Sequence, residues 1–390
     1  MNFENFKLST RLLGVIKRAG ITEPTEVQKL SLPHIMNGKD VFGESATGSG
    51  KTLAFGAGIV ESVIPNKGIQ ALVLTPTREL AEQVKNALTK FSVKNRLRIT
   101  AVYGGTSINN QISELRRAEV VVATPGRLLD HIQRNSVNLS KVNILVLDEA
   151  DRMLDMGFID DVEKIIRRCP MKRQTLFFSA TLPPKIRQLA KKHMNNPITV
   201  SAKNLVDPAK LKQVYYNIRR NMKMALLIHL LKNEASGLEM VFCNTRRTTD
   251  FVVKNLKANK INAVAIHGGF TQNKRTKTMS LFNGARVQIL VCTDVAARGL
   301  HIDNVSHVYN YELPKDPKDY IHRIGRTARA GEEGKVINLL SDSDFEAFGR
   351  IQRDYSSMNV NEMKTPFLKK VFIKNNKRTS GRRQRMGNRR

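Results

Sequence analysis

Long apolar runs are missing from the sequence, and so is a secretory signal. No stretch approaches the roughly 18 consecutive apolar residues that a membrane-spanning helix requires. The first residues, MNFENFKLSTRLL, include the acidic Glu4 and lack a positively charged start followed by an apolar segment. We therefore expect a cytoplasmic protein without a membrane partner.

Cysteine is also scarce. The three cysteines, Cys169, Cys243 and Cys292, show neither a CxxC pattern nor the Cys/His spacing of a metal site. Each lies beside or within an apolar run, where cysteine commonly acts as a small buried apolar side chain. We expect free thiols in a reducing compartment.

Acidic residues are few relative to basic ones. The 34 Asp and Glu against 65 Lys and Arg give a formal net charge of +31. Such a surplus makes a compact chain repel itself unless a polyanion supplies counter-charge, so nucleic acid is the expected partner. General solubility and attraction to an anionic membrane are the alternatives. The membrane ranks lower because no basic amphipathic anchor helix is evident.

The 390 residues exceed what one hydrophobic core usually organises, which favours two domains. Short runs rich in Val, Ile and Leu alternate with longer amphipathic stretches in both halves. Such runs are typical of strands buried on both faces of a parallel sheet, so we predict two doubly wound α/β domains. The strand candidates are 71–74, 120–123, 144–147, 175–178, 240–243, 263–266, 289–292, 305–310 and 336–340; helical patterns cover 78–91, 161–168 and 248–259.

The polar sequence SAKNLVDP marks the break between the two halves. We place the first domain at 1–203, a linker at 204–210 and the second domain at 211–363. From residue 364 to residue 390 the chain has eleven basic residues, no acidic ones and too few apolar residues to fold alone. We expect a disordered basic tail that tethers nucleic acid, with a solvated end or a targeting signal as alternatives.

The strongest chemical signal is SATGSGKT at residues 45–52, between a strand candidate at 40–42 and a helical pattern at 53–62. Glycines let backbone N–H groups close around phosphate oxygens, aided by the positive end of the following helix. Lys51 would then reach the β- and γ-phosphates, and the Thr52 hydroxyl would hold Mg²⁺. A plain Gly/Ser-rich turn is disfavoured by the strand–loop–helix context. The candidate ATP-binding residues here are Ser45, Ala46, Thr47, Gly48, Ser49, Gly50, Lys51 and Thr52.

A second signal is the apolar strand candidate 144–147, which ends in consecutive acidic residues. Asp148 would emerge at the carboxyl edge of the sheet, where it can bind ATP-associated Mg²⁺. Its neighbour Glu149 can accept the proton of an attacking water. Acidic residues after a strand are common in loops. Because SATGSGKT, the candidate phosphate loop, precedes them in the same chain, the catalytic interpretation is the better one.

Residues 148–151 spell D-E-A-D, and from residue 3 to about 345 the chain resembles the DEAD-box RNA helicase family. The resemblance implies two RecA-like domains and RNA-stimulated ATP hydrolysis that locally unwinds RNA duplexes or remodels RNA–protein complexes. The further motifs that carry it are EPTEVQ at 23–28, PTRELA at 76–81, GG at 104–105, TPGR at 124–127, SAT at 179–181, VFCNT at 241–245, Gln272 with Arg275, TDVAARG at 293–299 and HRIGRTAR at 322–329.

The resemblance assigns further ATP-binding residues: Thr25, Gln28 and Gly299. The Gln28 amide can pair with both N6 and N7 of adenine, a bidentate geometry also used in DNA readout. Phe3 fits the upstream aromatic that packs on the base; Phe6 is the rival, and core packing is the alternative for either.

The resemblance also assigns Arg326 and Arg329 to the γ-phosphate. Both belong to the second domain, so they would act only when the two halves close together. His322 and Arg323 are expected to connect to the DEAD segment and to the SAT motif. The residues expected to couple nucleotide state to RNA binding are Asp151, Ser179, Thr181, His322 and Arg323.

The RNA contacts implied by the resemblance are to phosphate and ribose. Such contacts carry no sequence information, so binding should be largely sequence-independent and steeply salt-dependent. For the glycines, tight turns after strands are an alternative that is compatible with this role. The RNA-binding candidates are Thr77, Arg78, Gly105, Thr124, Arg127, Gly268, Arg275 and Thr293.

Four residues depart from the family pattern. Ser45 replaces an alanine with little expected effect, and Ile21 stands where an aromatic often stacks on adenine. Ala328 replaces a glycine and would be strained if its φ were positive. His301 replaces an aspartate near the ribose, so we expect weaker or pH-sensitive coupling between ATP and RNA.

Other functions use the same motifs. An ATP-gated RNA clamp would hydrolyse slowly and stay attached to RNA. A DNA-directed motor is disfavoured by the literal D-E-A-D and by EPTEVQ at 23–28, which resembles the Q motif of the family. A binding protein without catalysis is the least favoured. Ribosomal or mRNA-decay ribonucleoproteins are the expected partner class, but ribosome assembly, mRNA turnover and cold adaptation are not distinguished by the sequence.

Overall fold

The computed structural model describes residues 2–45, 48–93, 95–202, 211–234, 237–297, 300, 302, 305–328, 333–356 and 358–374. The chain divides into two compact units. Each unit is built around a seven-stranded sheet in which all neighbouring strands are parallel, with helices between successive strands. This confirms the predicted pair of doubly wound α/β domains.

The first unit begins with a short 3₁₀ helix at Phe3–Phe6, and its sheet has the order β3-β4-β2-β5-β6-β1-β7. Its strands are β1 Val41–Ser45, β2 Ala71–Leu74, β3 Ile99–Val102, β4 Val120–Ala123, β5 Ile144–Leu147, β6 Gln174–Ser179 and β7 Ile198–Ala202. Its helices are α1 Thr10–Arg18, α2 Glu26–Met36, α3 Lys51–Ser62, α4 Arg78–Phe91, α5 Ile108–Leu115, α6 Pro125–Gln133, α7 Ala150–Asp155, α8 Ile159–Ile166 and α9 Pro184–His193.

Both faces of the first sheet are covered. Along β5, Val146 packs in one hydrophobic cluster and its neighbours Leu145 and Leu147 pack in another, so the strand contributes to a core on each side. All four residues of this strand are buried. Successive side chains of a strand point to opposite faces, which explains why β5 reads as an unbroken apolar run.

The second unit has the sheet order β10-β11-β9-β12-β13-β8-β14 and includes short 3₁₀ helices at Arg220–Met222 and Asp342–Asp344. Its strands are β8 Leu211–Asn217, β9 Leu238–Cys243, β10 Ala263–Ile266, β11 Ile289–Thr293, β12 Val305–Asn310, β13 Gly334–Leu340 and β14 Asn361–Glu362. Its helices are α10 Lys223–Asn233, α11 Arg246–Ala258, α12 Gln272–Asn283, α13 Asp294–Ala297, α14 Pro317–Ile324 and α15 Phe345–Asp354.

The two sheets have the same strand order when each is read from its first strand. β8 occupies the place of β1, β9 that of β2, β10 that of β3, β11 that of β4, β12 that of β5, β13 that of β6 and β14 that of β7. Corresponding strands therefore end at corresponding places along the carboxyl edge, which is where open α/β sheets bind ligands.

The packed chain extends further toward the carboxyl terminus than the tail boundary at residue 364 implies. Leu368 and Val371 pack against the core of the second unit. The backbone of Phe372 and Lys374 exchanges hydrogen bonds with the side chains of Asn259 and Asn255 on α11. These apolar and amide contacts hold residues 364–374 on the second unit, and residues 375–390 lie outside the described part of the chain.

Among the described residues, no helix combines the length and apolar character needed to cross a membrane. Cys169, Cys243 and Cys292 are buried free thiols, and burial raises the pKa of the Cys169 thiol to about 11. The expected free cysteines are thus found in apolar surroundings.

Candidate functional site

The loop between β1 and α3 is shaped by glycine. Gly50 immediately precedes the helix with a φ of 89°, and Gly48 has a φ of 87°. A Cβ atom on Gly50 would lie 2.5 Å from Gln28 Nε2, so a side chain at this position would displace Gln28. The first N–H groups of a helix in general lack partners within the helix, and such groups form an anion-binding end.

Lys51 and Asp148 form a buried ion pair at this end of the helix. Lys51 Nζ lies 3.0 Å from Asp148 Oδ1, and the two side chains are 5% and 0% exposed. Apart from this ion pair, neither carboxylate oxygen of Asp148 has a side-chain partner among the described residues. Burial alone would lower the pKa of Lys51, but the charges of Asp148, Glu149 and Asp151 outweigh it and raise that pKa. Lys51 is therefore held as a cation.

Polar atoms around this ion pair are available to bind a ligand. The hydroxyls of Ser45 and Ser49 are also buried without a hydrogen-bond partner in the described structure. Buried polar groups normally have partners, so a cluster of unsatisfied ones suggests a missing ligand. Carboxylate and hydroxyl oxygens are the ligands that Mg²⁺ prefers, and Asp148 together with Thr52 in the first turn of α3 fits that requirement.

Glu149 is held in an uncommon backbone conformation. Its φ of 54° lies in the left-handed region, which costs a non-glycine residue about 1–3 kcal/mol. Its Oε2 accepts a hydrogen bond of 3.0 Å from Arg152 Nη1, and both side chains are buried. The carboxylate is therefore fixed beside Asp148 at the carboxyl edge of the sheet.

Asp151 connects the DEAD segment to the SAT motif. Its Oδ2 accepts hydrogen bonds of 2.9 Å from both the backbone N–H and the hydroxyl of Thr181. Its backbone N–H donates to Ser179 Oγ, and that hydroxyl donates in turn to the carbonyl of Thr181. The structure thus brings these three predicted coupling residues into one network inside the first unit.

The Q motif contacts the phosphate loop directly. Gln28 accepts a hydrogen bond from Thr25 N at 3.0 Å and donates one to the carbonyl of Gly50 at 2.8 Å. Phe3 and Phe6 both belong to the hydrophobic core, and Phe3 is only 5% exposed. Both phenylalanines therefore pack in the core in this structure, as the alternative interpretation of these residues predicted.

The first-unit RNA candidates surround the loop after β3. Gly105 has a φ of 88°, and a Cβ atom there would collide with the Arg78 guanidinium, which lies against the loop. Thr77 caps α4 by accepting a hydrogen bond from Leu80 N. Arg127 donates from Nη1 to the carbonyl of Thr106 in the same loop. Two arginines are thus gathered around a loop with no room for a side chain at Gly105.

Gln111 organises this loop and was missed by sequence reasoning. Its Oε1 accepts from Arg127 Nη1 at 3.1 Å and lies 3.0 Å from His131 Nε2. Its amide nitrogen donates to the carbonyl of Tyr103 and to Thr106 Oγ1. Burial, followed by the charge of Arg127, lowers the pKa of His131 and favours a neutral imidazole. The only sequence signal was a glutamine a few residues after the glycine pair.

The second unit repeats this arrangement after the corresponding strands. A Cβ atom on Gly268 would lie 3.1 Å from Arg246 Nη2, and Arg246 follows Thr245, which caps α11. Arg246 occupies the place that Arg78 has in the first unit, and sequence reasoning did not select it. Thr293 ends β11, and Arg275 Nη2 donates to the carbonyl of Ala296. The second-unit RNA candidates therefore lie after neighbouring strands at one sheet edge.

Arg323 uses all five of its N–H donors inside the second unit. Nε and Nη2 bind the two carboxylate oxygens of Asp294 at 2.6 and 2.7 Å. Nη1 donates to Asn310 Oδ1 and the carbonyl of Glu312, and Nη2 also donates to Asn244 Oδ1. Arg323 is 1% exposed, so it ties together the ends of three strands.

Arg323 therefore binds its partners within the second unit, and its expected connection to the DEAD segment and the SAT motif stays a prediction. His322 is half-buried on α14, and Arg326 is buried just after that helix. Ala328 has a φ of 54°, which is the positive value that the sequence analysis identified as a source of strain. Predicted residues outside the described part of the chain are Ala46, Thr47, Gly299, His301 and Arg329.

Comparisons with known proteins agree with this geometry. Residues 25–189 match the DEAD/DEAH box helicase family, and residues 222–331 match the helicase conserved C-terminal domain. The ATP-dependent RNA helicase CshA of Limosilactobacillus reuteri is 42% identical over 380 residues, covering 95% of this chain and 75% of that protein. The DEAD-box ATP-dependent RNA helicase CshA of Geobacillus kaustophilus is also 42% identical, over 94% of this chain and 79% of the relative.

Solved structures give the same result. S. cerevisiae Dbp5 bound to RNA and ADP BeF3 is 31% identical with a TM-score of 0.85, covering 93% of this chain and 95% of that chain. A DEAD box protein from Methanococcus jannaschii is 40% identical with a TM-score of 0.58, over 93% and 99% of the two chains. With the buried Lys51–Asp148 pair and the Asp151–Thr181 network, these matches show that the chain is a member of the DEAD-box ATP-dependent RNA helicases.

Proposed function

We propose that the first unit binds ATP and that residues of both units divide the work of hydrolysis and RNA binding. The observation that carries this proposal is the buried Lys51–Asp148 pair, whose carboxylate lacks hydrogen-bond partners among the described residues. We assign ATP and RNA binding to residues 1–203, a linker to 204–210 and the conserved helicase C-terminal half to 211–363.

ATP would be recognised at its base by Gln28 and Thr25 and at its phosphates by the loop up to Thr52. Lys51 would place its charge against the β- and γ-phosphates when they displace its present contact with Asp148. Thr52 and Asp148 would hold Mg²⁺, which neutralises negative charge that develops on the phosphates during transfer.

Glu149 would position and deprotonate the attacking water. Its contact with Arg152 keeps the carboxylate in one place. Arg326 and Arg329 would stabilise charge on the γ-phosphate, which requires the two units to come together during the cycle.

RNA would be bound through phosphates and riboses by the residues gathered around Gly105 and Gly268. Contacts of this kind make binding sequence-independent. We propose a cytoplasmic role on ribosomal or mRNA-decay ribonucleoproteins, which crosslinking of RNA to the protein in cells would test. The buried free cysteines suit that reducing compartment.

The test is steady-state ATP hydrolysis without nucleic acid, with single-stranded RNA and with DNA of the same sequence. Each condition is repeated with Glu149→Gln and with the matched control Glu114→Gln, an exposed glutamate on α5. We expect stimulation by RNA alone, lost in Glu149→Gln and kept in the control. Equal stimulation by DNA would contradict the ribose contribution, and activity in Glu149→Gln would contradict its catalytic role.

The same assay separates the helicase from a slowly hydrolysing RNA clamp. Tight ATP-dependent RNA binding with little turnover would favour the clamp. His301→Asp then tests the coupling hypothesis, because restoring the carboxylate should raise RNA-stimulated turnover if His301 weakens coupling. An unchanged rate would rule out that explanation.

A further inference from the structure

The second unit contains a groove of about 1320 Å³ at the carboxyl ends of β8, β9, β12 and β13. We call it the second-unit groove. Four exposed basic residues line it: Arg220, Arg247, Lys315 and Arg350. All of its lining residues belong to the second unit, and none is among the ATP- or RNA-binding candidates described above.

This groove occupies the place in the second sheet that the phosphate loop has in the first. Lys51 is the first residue of the helix after β1, and Lys223 is the first residue of the helix after β8. Both lysines are buried, and each contacts the chain that follows the equivalent strands β5 and β12. Lys223 Nζ lies 3.2 Å from the carbonyl of Tyr311.

The groove nevertheless lacks the parts that hold a nucleoside triphosphate. Lys223 forms a 2.6 Å ion pair with Asp344, whose same oxygen also accepts from the backbone N–H and hydroxyl of Ser341. The chain from 218 to 222 reads IRRNM and contains no glycine, so its backbone is not free to wrap around phosphates. The lysine charge is already neutralised, and the exposed cations are what remain for an anion.

The charges of the groove favour an extended polyanion. Five basic and three acidic residues line it, and the Lys223–Asp344 pair cancels one of each. Glu312 accepts hydrogen bonds from Asn244 N and Thr248 Oγ1. Glu346 is exposed and lies 3.9 Å from Arg350, a distance at which surface ion pairs contribute little.

The carboxyl-terminal segment leads toward the same groove. Phe372 binds Asn259 and Lys374 binds Asn255, so the chain advances along α11 toward the amino end of that helix. Arg247 and Thr248 at that end line the groove, and Ile373 lines it as well. The next sixteen residues, 375–390, contain seven basic residues and no acidic ones.

We propose that the second-unit groove binds the phosphate backbone of RNA that extends beyond the strand held by Gly268, Arg275 and Thr293. The inference rests on the proposed RNA-binding function and adds a second contact to it. Arginine suits this role because its guanidinium binds phosphate oxygens in a fixed, bidentate geometry.

The experiment measures equilibrium binding of fluorescent single-stranded RNA to the full chain over a series of salt concentrations, with a non-hydrolysable ATP analogue. One RNA is just long enough to saturate ATPase stimulation, and the other is extended on both sides. The variants are Arg220→Gln/Arg350→Gln and, independently, Arg247→Gln/Lys315→Gln. The matched control is Lys232→Gln/Lys257→Gln, two exposed lysines on α10 and α11 outside the groove.

Each phosphate contact on a single strand contributes about 0.7 to the slope of log affinity against log salt. We expect each groove variant to lower that slope by about 1.4 for the extended RNA, with no change for the short RNA or in the control. The same slope as the parent for extended RNA, or an equal loss on both RNAs, would overturn the inference. Saturating short RNA should still stimulate ATPase in all variants; if it fails in the parent, the proposed function is what fails.

Discussion

The side-chain amide of Gln28 donates a hydrogen bond of 2.8 Å to the carbonyl oxygen of Gly50, the residue that precedes α3. Gln28, in the first turn of α2, thereby holds that helix against the loop before α3. Thr25 N completes the contact by donating to the same amide. The EPTEVQ motif and the loop before α3 are therefore connected through one buried side chain.

The first prediction concerns this contact. Gln28→Glu places a carboxylate oxygen against the Gly50 carbonyl and removes the donor, at a cost of about 1–3 kcal/mol. We expect the KM for ATP to rise by about tenfold or more, with a smaller change in kcat. Steady-state ATP titrations at saturating RNA measure both, with the exposed Gln133→Glu as control. An unchanged KM would mean that the Gln28–Gly50 contact does not support ATP binding.

The second prediction concerns Arg323. Lysine retains the charge but has three donors where arginine has five, so Arg323→Lys leaves buried acceptors among Asp294, Asn310 and Asn244 without partners. We expect the second unit to lose about 2–4 kcal/mol of unfolding free energy. Urea denaturation measures it. The control is Arg353→Lys, which changes an exposed arginine on α15 and should leave the unfolding free energy close to that of the parent. Equal stability of the two variants would contradict the importance of the five donors of Arg323.

The third prediction concerns Glu239 on β9. Burial, followed by the charge of Glu234, raises the pKa of Glu239 from 4.5 to about 8. A carboxyl group with a raised folded-state pKa stabilises the fold below its unfolded value, and that contribution is lost as pH rises through the folded value. Glu239→Gln stays neutral, so its stability relative to the parent should increase between about pH 5 and about pH 9. Denaturation at both pH values tests this, and a constant difference would contradict it.

The fourth prediction concerns Ala328. Its φ of 54° is strained for alanine and ordinary for glycine, so Ala328→Gly should stabilise the second unit by up to about 1 kcal/mol. The opposite sign is expected for Ala87→Gly inside α4, where glycine costs about 1 kcal/mol. Thermal unfolding distinguishes the two. Destabilisation in both variants would show that the positive φ of Ala328 does not reduce the stability of the second unit.

The fifth prediction separates the two parts of the carboxyl-terminal segment. Truncation after Lys374 should raise the RNA concentration needed for half-maximal ATPase without lowering the maximum or the Tm, because seven basic residues are lost while Leu368 and Val371 are kept. Truncation after Thr365 also removes Leu368 and Val371 from the core and should lower the Tm. Equal RNA requirements in the parent and the Lys374 truncation would dismiss the tether.

The sequence predicted the continuous apolar strands well and the mixed or very short strands poorly. β4 and β5 match their predicted bounds because every residue is apolar and buried on both faces. β8 was missed because it alternates buried and exposed residues and includes Lys212 and Gln213. Its neighbour β14 has only two residues, both exposed, and carries no periodic signal of its own.

The candidate site shows the same division. The sequence placed Lys51 and Asp148 in one site because local motifs set each of them at the carboxyl edge of a parallel sheet. The contacts of Gln111 with Arg127 and the occupation of every Arg323 donor depend on side chains far apart in sequence. No local pattern encodes such distances, so the structure was needed to find them.

The order of strands in the first sheet has a consequence for synthesis of the chain. β1, which carries the phosphate loop, lies between β6 and β7, so Val41 pairs with Leu176 on one side and Ile198 on the other. During synthesis β1 therefore has no neighbouring strand until β6 is complete at Ser179, and its second neighbour β7 is complete only at Ala202. Because such non-local pairing forms late, nucleotide binding should begin only when the whole first unit has left the ribosome.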